Sequence, residues 1–195
     1  MIAALLAAAS LGASVAPSVA TPDGQFHVTV QGLCAPAASV VVHGGIASEG
    51  KMFGWVPLQS AGSCSWSTVL RAPGFLGVYP IRVLAGGVER DTGAVVSVLP
   101  HGYAAEPGFD EPEQIPEWWR RQAPAGATLE SVTQWNAGFF THRDPSLNRL
   151  LRVRFTLLGD WKAQRLARGT YTRYFSVARL KPGGQWRLLQ IVEAP

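Results

Sequence analysis

The stretch FHVTVQGLC, residues 26–34, alternates apolar with polar side chains and then turns at a glycine. An alternation with a period of two residues is typical of a β-strand that buries one face. Similar short runs occupy residues 39–43, 64–70, 78–84 and 93–99, and Gly or Pro follows each of them closely. Short strands separated by such turn residues predict a β-sandwich over residues 21–100.

The order of these runs resembles that of the bacterial immunoglobulin-like modules of exported proteins. It reads VTVQGLCAPAASVVVHGG, then GSCSWSTVLRAPGFLGVYPIRVLAGG, then GAVVSVLP. Trp66 and the run GVYPIRV, residues 77–83, carry the likeness, which covers residues 24–100. The resemblance implies an immunoglobulin-like β-sandwich that serves binding, spacing or presentation. It supplies no catalytic residues.

The chain has two cysteines, Cys34 and Cys64, thirty positions apart. In an oxidising compartment the simple interpretation is one disulfide. Two buried thiols and a metal site are the alternatives. Two cysteines without a nearby histidine or a second cysteine pair make a poor zinc site. We therefore expect a Cys34–Cys64 disulfide and no metal.

The first twenty residues, MIAALLAAASLGASVAPSVA, are typical of a secretion signal. Residues 2–11 form an apolar run, and small residues precede possible cuts after Ala16 and Ala20. No Lys or Arg precedes the run, so a retained anchor or an N-terminal helix stays open. No later run is long and apolar enough to cross a bilayer. We expect a secreted or extracytoplasmic protein of the cell envelope, folded from about Thr21.

Composition and charge indicate a second domain. Of the 195 residues, 47% are hydrophobic and 15% charged, which excludes a disordered chain. Residues 1–100 contain four basic and four acidic side chains, whereas the remaining thirteen basic and nine acidic ones give the C-terminal half the whole net charge of +4. Turn residues without periodicity at 101–108 predict a linker. The second domain is then expected over residues 109–195.

The second domain is predicted to be a small α+β unit, which makes the whole chain mainly β. Residues 113–122 predict a helix, because Ile115, Trp118 and Trp119 fall on one helical face. Four strands are predicted at residues 129–136, 150–158, 170–180 and 185–192, with the hairpin turn KPGG between the last two. The expected unit is one helix on an antiparallel four-stranded sheet. Its closing stretch, residues 169–188, resembles that of cystatin-like and NTF2-like α+β folds.

The sequence contains none of four common catalytic or ligand-binding motifs. It lacks the Gly-x-Ser-x-Gly elbow, the His-Glu-x-x-His zinc motif, a phosphate loop and a calcium loop. The best local candidate is His142, two positions before Asp144 in THRD, which could serve as a general base. The segment joins two predicted strands, so a solvated loop is the favoured interpretation. We therefore expect a protein that is not an enzyme and needs no cofactor.

A basic, aromatic sheet face is the candidate binding site. Arg152 and Arg154 alternate on one side of a strand, and Arg173, Arg179 and Arg187 extend the patch if strand register allows. The candidate ligand-binding residues are Arg152, Arg154, Tyr171, Arg173 and Trp186, with Tyr174 interleaved. Such a face can bind acidic glycans, anionic lipid headgroups or single-stranded nucleic acid, and export argues against nucleic acid. An ordinary solvated face is the alternative. The tryptophans Trp118, Trp119, Trp135, Trp161 and Trp186 are expected in the core.

These features together predict an exported, non-catalytic binding or scaffolding protein of the bacterial cell envelope. Its expected partner is an envelope polysaccharide, another envelope protein or an anionic ligand. One alternative is a small-molecule pocket between helix and sheet, with weak hydrolytic activity centred on His142. The other is a structural spacer.

Overall fold

The computed structural model describes residues 11–103, 108–136 and 142–194. The described chain is mainly β, as expected, and divides into two compact units. The first unit ends at Val98 and leaves out Leu76–Val78, which belong to the second unit together with the chain from Leu99 onward. Most of the apolar run of the predicted leader, residues 104–107 of the predicted linker and Thr141 lie outside the described residues.

The described residues of the first unit form nine strands in two sheets. They are β1 (Gly12–Ala16), β2 (Val19–Ala20), β3 (Gln25–Gln31), β4 (Ala38–Val42), β5 (Val56–Pro57), β6 (Gln59–Gly62), β7 (Ser65–Arg71), β8 (Gly77–Ala85) and β9 (Val88–Val98). One sheet has the order β1-β3-β7-β6, and the other has the order β2-β9-β8-β4-β5. All described pairs are antiparallel except β2 with β9.

The alternating stretch at residues 26–31 forms β3 with the expected burial. Phe26, Val28 and Val30 are fully buried, while the intervening polar side chains lie on the other face. The predicted disulfide is confirmed, since Cys34 is bonded to Cys64 with a Cα–Cα distance of 4.2 Å. The bond ties the end of β3 to the turn that precedes β7, its neighbour in the sheet.

The fold of the first unit extends N-terminal of Thr21, the expected start. Residues 12–20, assigned to the leader from the sequence, contain β1 and β2. β1 pairs antiparallel with β3 over five positions, from Gly12 opposite Gln31 to Ala16 opposite His27. The two candidate cleavage positions are the last residues of β1 and β2. A cut at either would therefore separate β1 from the sheet.

The second unit has one α-helix and four strands among its described residues. The elements are α1 (Ile115–Gln122), β10 (Thr128–Gln134), β11 (Asn148–Leu157), β12 (Gly169–Arg179) and β13 (Trp186–Val192). Short 3-10 turns lie at Pro112–Gln114 and Lys162–Gln164. The strands form an antiparallel sheet in chain order, β10-β11-β12-β13.

Helix α1 forms where the sequence predicted a helix, and its apolar face packs on this sheet. Pro116 lies in its first turn, where the missing N–H costs nothing. Arg120 and Arg121 lie in its last turn, which suits the helix dipole. The Trp119 ring lies 4.5 Å from that of Phe155, between ring centres. Such buried aromatic contacts dominate the energetics of a small core.

The predicted hairpin turn between β12 and β13 is present. The N–H of Gly184 donates to the carbonyl of Lys181 at 3.0 Å. Gly183 has a φ of +69°, a left-handed conformation that favours glycine. In the part of the chain that the structure describes, no helix has the length and apolar character needed to cross a bilayer.

Candidate functional site

The two faces of the second unit's sheet differ in chemistry. On β11, Leu151, Val153 and Phe155 are buried in the core cluster beneath α1. Arg152 and Arg154 alternate with them and are exposed on the opposite face. We call that opposite face the outer face and the other one the helix side. The expected basic face of β11 is therefore present.

Strand register divides the five predicted ligand-binding residues between the two faces. Tyr171 lies opposite Phe155 and Arg173 lies opposite Val153, so both belong to the helix side. Trp186 is 2% exposed and belongs to the core cluster. The expectation that these three share a face with Arg152 and Arg154 is wrong, because cross-strand partners point to the same side of a sheet.

Arg173 is engaged on the helix side. Its guanidinium carbon lies 5.0 Å from the centre of the Tyr171 ring. Its Nη2 atom donates to the carboxylate of Glu193 at 3.0 Å. The side chain is only 15% exposed. Arg173 and Tyr171 thus pack against one another at the edge of the core.

The outer face carries a cluster of one cation and two aromatic rings, which we call the outer-face cluster: Trp135, Arg152 and Tyr174. The guanidinium carbon of Arg152 lies 5.5 Å from the centre of the Trp135 ring. The Trp135 and Tyr174 rings meet edge to face with 5.7 Å between their centres. Register places Tyr174 directly opposite Arg152. No described carboxylate forms an ion pair with Arg152.

Trp135 was expected in the core, and the structure places it outside the core cluster, half-buried beside Arg152. The cause is a bulge in β10. Leu129 pairs with Phe155, whereas Ser131 pairs with Arg154, so Glu130 is an extra residue. A bulge of one residue shifts every later side chain to the other face. The sequence carries one sign of this bulge. Leu129 and Val132 are both apolar and are three residues apart, and strict alternation would place them on opposite faces of the strand.

Arg154 is the second exposed cation of the outer face, and it is already paired. Its Nε atom lies 2.7 Å from a carboxylate oxygen of Glu130. The other oxygen of Glu130 accepts a hydrogen bond from the hydroxyl of Thr156 at 2.6 Å. Of Arg152 and Arg154, Arg152 is therefore the one whose guanidinium a ligand can meet without displacing an ion pair.

His142 is exposed and has no hydrogen bond to the nearby carboxylate within the described loop. The Asp144 carboxylate instead accepts hydrogen bonds from the backbone N–H and the hydroxyl of Ser146, at 2.8 and 2.6 Å. This pattern caps a turn. Among the residues that the structure describes, His142 therefore has no hydrogen-bonded carboxylate that would orient it as a general base.

A small cleft opens beside the core of the second unit. It measures about 240 Å³ and is lined by Tyr103, Trp118, Gln164 and residues 188–191 of β13. Ligand pockets for small molecules usually measure about 300–1,000 Å³. The cleft can therefore hold only a small molecule. The Trp118 side chain is 3% exposed, so it offers little surface there.

The first unit carries an apolar groove of about 170 Å³. It is lined by residues 40–42 of β4, by Phe53, Gly54 and Val56, and by residues 69–71. Val56 and Val69 are partly exposed there, at 37% and 46%. Arg71 is the charged residue of its lining, and its guanidinium is already paired with the carboxylates of Asp23 and Glu49.

No three described His, Cys, Asp or Glu side chains are grouped as a metal site would need. A comparison with models of protein families finds none that matches the chain. A comparison with curated proteins finds no similar sequence. The function is therefore argued from geometry and chemistry.

Proposed function

We propose that this chain is an exported, non-catalytic binding protein of the bacterial cell envelope that holds an acidic polysaccharide on its outer face. The observation that carries the proposal is the outer-face cluster, in which an exposed guanidinium that pairs with no described carboxylate is held against an indole ring. The tyrosine at its side adds a second ring. An arginine that is already stacked loses less conformational freedom when it pairs with an anion.

The chemistry of this cluster fits an acidic sugar. The guanidinium of Arg152 presents a planar fork to a carboxylate. The exposed parts of Trp135 and Tyr174 present apolar ring surface to a sugar ring. The formal net charge of the second half, which carries the whole +4, would draw an acidic polymer toward the unit.

The first unit is proposed to be an immunoglobulin-like sandwich that presents the second. Its strand orders, β1-β3-β7-β6 and β2-β9-β8-β4-β5, support this assignment. The hydroxyl of Tyr79, near the start of β8, donates to the carbonyl of Phe75 at 2.8 Å, as the tyrosine corner of that fold does. The disulfide departs from the antibody pattern, because it joins the segment after β3 to the turn before β7, and β3 and β7 are neighbours in one sheet. The second unit is proposed to be cystatin-like or NTF2-like in fold.

Export is supported by the disulfide, which persists in oxidising compartments. The leader itself stays a prediction. A secreted or extracytoplasmic location places acidic envelope polysaccharides within reach of the outer face.

The proposal is tested by titrating the full chain against polygalacturonate, an acidic polysaccharide, and against dextran, a neutral one. We expect binding to polygalacturonate only, weakening about tenfold or more between about 0.02 M and about 0.5 M salt. Arg152→Ala should weaken binding at least about fivefold, since a charge-assisted hydrogen bond is lost. Arg120→Ala, which removes an exposed arginine of α1 on the helix side, is the matched control and should bind as the wild type does.

Absence of binding at low salt would refute the proposal. So would equal binding by the Arg152→Ala variant and the wild type.

A second candidate function is favoured by the cleft beside Trp118. A small apolar molecule that binds there would contact Tyr103 and residues 188–191. Titrating the protein with small aromatic fragments, while following the chemical shifts of the β13 amides by NMR, would test this candidate. Shifts on β13 without shifts on the outer face would favour the cleft over the polysaccharide site.

A further inference from the structure

A second pair of arginines lies on the helix side of the sheet, where β11 begins and β12 ends. Arg149 in β11 pairs with Val177, and Arg179 in β12 pairs with Trp186. Arg179 lies two residues beyond Val177, on the same face of β12. The two arginines are therefore diagonal neighbours, about 7–8 Å apart at the backbone.

One buried ring holds both guanidinium groups. The guanidinium carbons of Arg179 and Arg149 lie 4.9 and 6.0 Å from the centre of the Trp186 ring. Trp186 is only 2% exposed, and its backbone forms a hydrogen bond in each direction with Phe109, at 2.8 and 3.0 Å. The ring is therefore fixed. Stacking on it restrains the two cations before any ligand arrives.

The charge of this pair is not compensated within the described chain. Neither arginine forms an ion pair with a described carboxylate. The nearest polar contact of Arg179 is a long hydrogen bond, 3.4 Å, from its Nη2 to the backbone carbonyl of Asp110. The carboxylate of Asp110 instead accepts from the side-chain amide of Gln185 at 3.2 Å.

The Nη groups of Arg149 and Arg179 are the donors that a ligand can reach. The Nε atoms of Arg149 and Arg179 are buried without a hydrogen-bond partner in the described part of the chain, and so is Nε1 of Trp186. Both arginine side chains are otherwise partly exposed. A ligand from solvent therefore meets the Nη edges of the two guanidinium groups. Two neighbouring like charges with partly exposed guanidinium groups attract an anion that can accept several hydrogen bonds.

We infer that Arg149 and Arg179 form a binding site for a small oxyanion, a phosphate or a carboxylate. The guanidinium fork matches both groups, since each presents two oxygens at the right spacing. The site lies on the helix side and uses no residue of the outer-face cluster. It is thus independent of the proposed polysaccharide site, and either can exist without the other.

The test is thermal unfolding of the full chain in sodium phosphate, sodium acetate and sodium chloride at equal ionic strength. We expect phosphate or acetate to raise the Tm by about 5 °C or more near one hundred times its Kd, and chloride to leave it unchanged. The salt that raises the Tm shows whether the site binds a phosphate or a carboxylate. Arg149→Gln with Arg179→Gln should abolish the shift. Arg120→Gln, at an exposed arginine of α1, should retain all of it.

Two results would overturn the inference. One is a wild-type Tm that is the same in all three salts. The other is a shift that survives in the double variant, since a general salt effect on the protein surface acts on every variant alike. If circular dichroism shows that the glutamine variants do not fold, Arg149→Lys with Arg179→Lys replaces them. An undiminished shift in that variant, which keeps the charge and loses the fork, would equally overturn the site.

Discussion

The guanidinium of Arg152 lies over the indole of Trp135, with 5.5 Å between the guanidinium carbon and the ring centre. Arg152 lies in β11, and Trp135 directly follows β10, whose residues Thr133 and Gln134 pair with Arg152 and Leu151. Their meeting depends on the bulge at Glu130, which brings Trp135 to the outer face. A candidate binding surface thus arises from a local irregularity in one strand.

Replacing Trp135 should weaken the proposed polysaccharide binding. Trp135→Ala removes the ring that restrains Arg152, and a cation–π contact at an exposed site contributes about 0.5–1 kcal/mol. We expect the Kd for polygalacturonate to rise about two- to fivefold in the same titration. Trp55→Ala, at a tryptophan of the first unit that is 38% exposed, is the control and should leave the Kd unchanged. An unchanged Kd for Trp135→Ala would show that the indole ring does not contribute to binding.

Two adjacent leucines test how the core of the second unit is arranged. Leu157 is 1% exposed, whereas Leu158 is 64% exposed. Leu157→Ala should lower the free energy of unfolding by about 2–5 kcal/mol, because it leaves a cavity beneath α1. Leu158→Ala should change it by less than about 0.5 kcal/mol. Urea unfolding followed by circular dichroism measures both, and equal losses would contradict the assigned faces of β11.

Removing the disulfide should destabilise the first unit. Cys34 and Cys64 close a loop with a separation of 30 residues. The chain-entropy model gives a loss of about 3–4 kcal/mol when such a loop is opened. We expect this loss in urea unfolding of Cys34→Ser with Cys64→Ser. Dithiothreitol should destabilise the wild type and leave the double variant unaffected. If dithiothreitol also destabilised the double variant, its effect would not come from reduction of this disulfide.

Gly74 should not tolerate a side chain. A Cβ built at this position meets the backbone of Ser48, with the Cα atom only 2.6 Å away. Gly74→Ala forces two backbone segments apart and should cost about 1–3 kcal/mol in the free energy of unfolding. Gly54, where a Cβ would have no neighbour within 4 Å, is the matched control. A Tm of Gly74→Ala equal to that of Gly54→Ala would show that Ser48 moves without cost.

The N-terminal strands give a test of where the folded chain begins. A chain of residues 12–195 retains β1 and β2, and a chain of residues 21–195 lacks both. We expect the shorter chain to melt at least about 5 °C lower, because β3 loses a paired neighbour. Equal melting temperatures would show that β1 is dispensable and that a cut at Ala20 leaves the fold intact. N-terminal sequencing of exported material then locates the cut itself.

The sequence predicted the elements whose side chains alternate strongly. Runs such as residues 26–31 and 150–158 contain apolar residues at every second position, and they form β3 and β11. The helix was equally clear, because Ile115, Trp118 and Trp119 share one face only in a helix. β1 and β2 were missed as strands. Their Ala- and Ser-rich residues have no strong strand preference of their own and become strands only through pairing with β3 and β9.

The sequence by itself determined which strands are amphipathic, that the two cysteines could pair, and that Arg152 and Arg154 share one face of β11. Only the tertiary structure decided that Arg173 lies on the other face, that Trp135 leaves the core, and that Arg149 meets Arg179 at Trp186. The physical reason is the two-residue period of a strand. A register change or a bulge of one residue moves a side chain to the opposite face of the sheet, and both are set by pairing with a neighbouring strand.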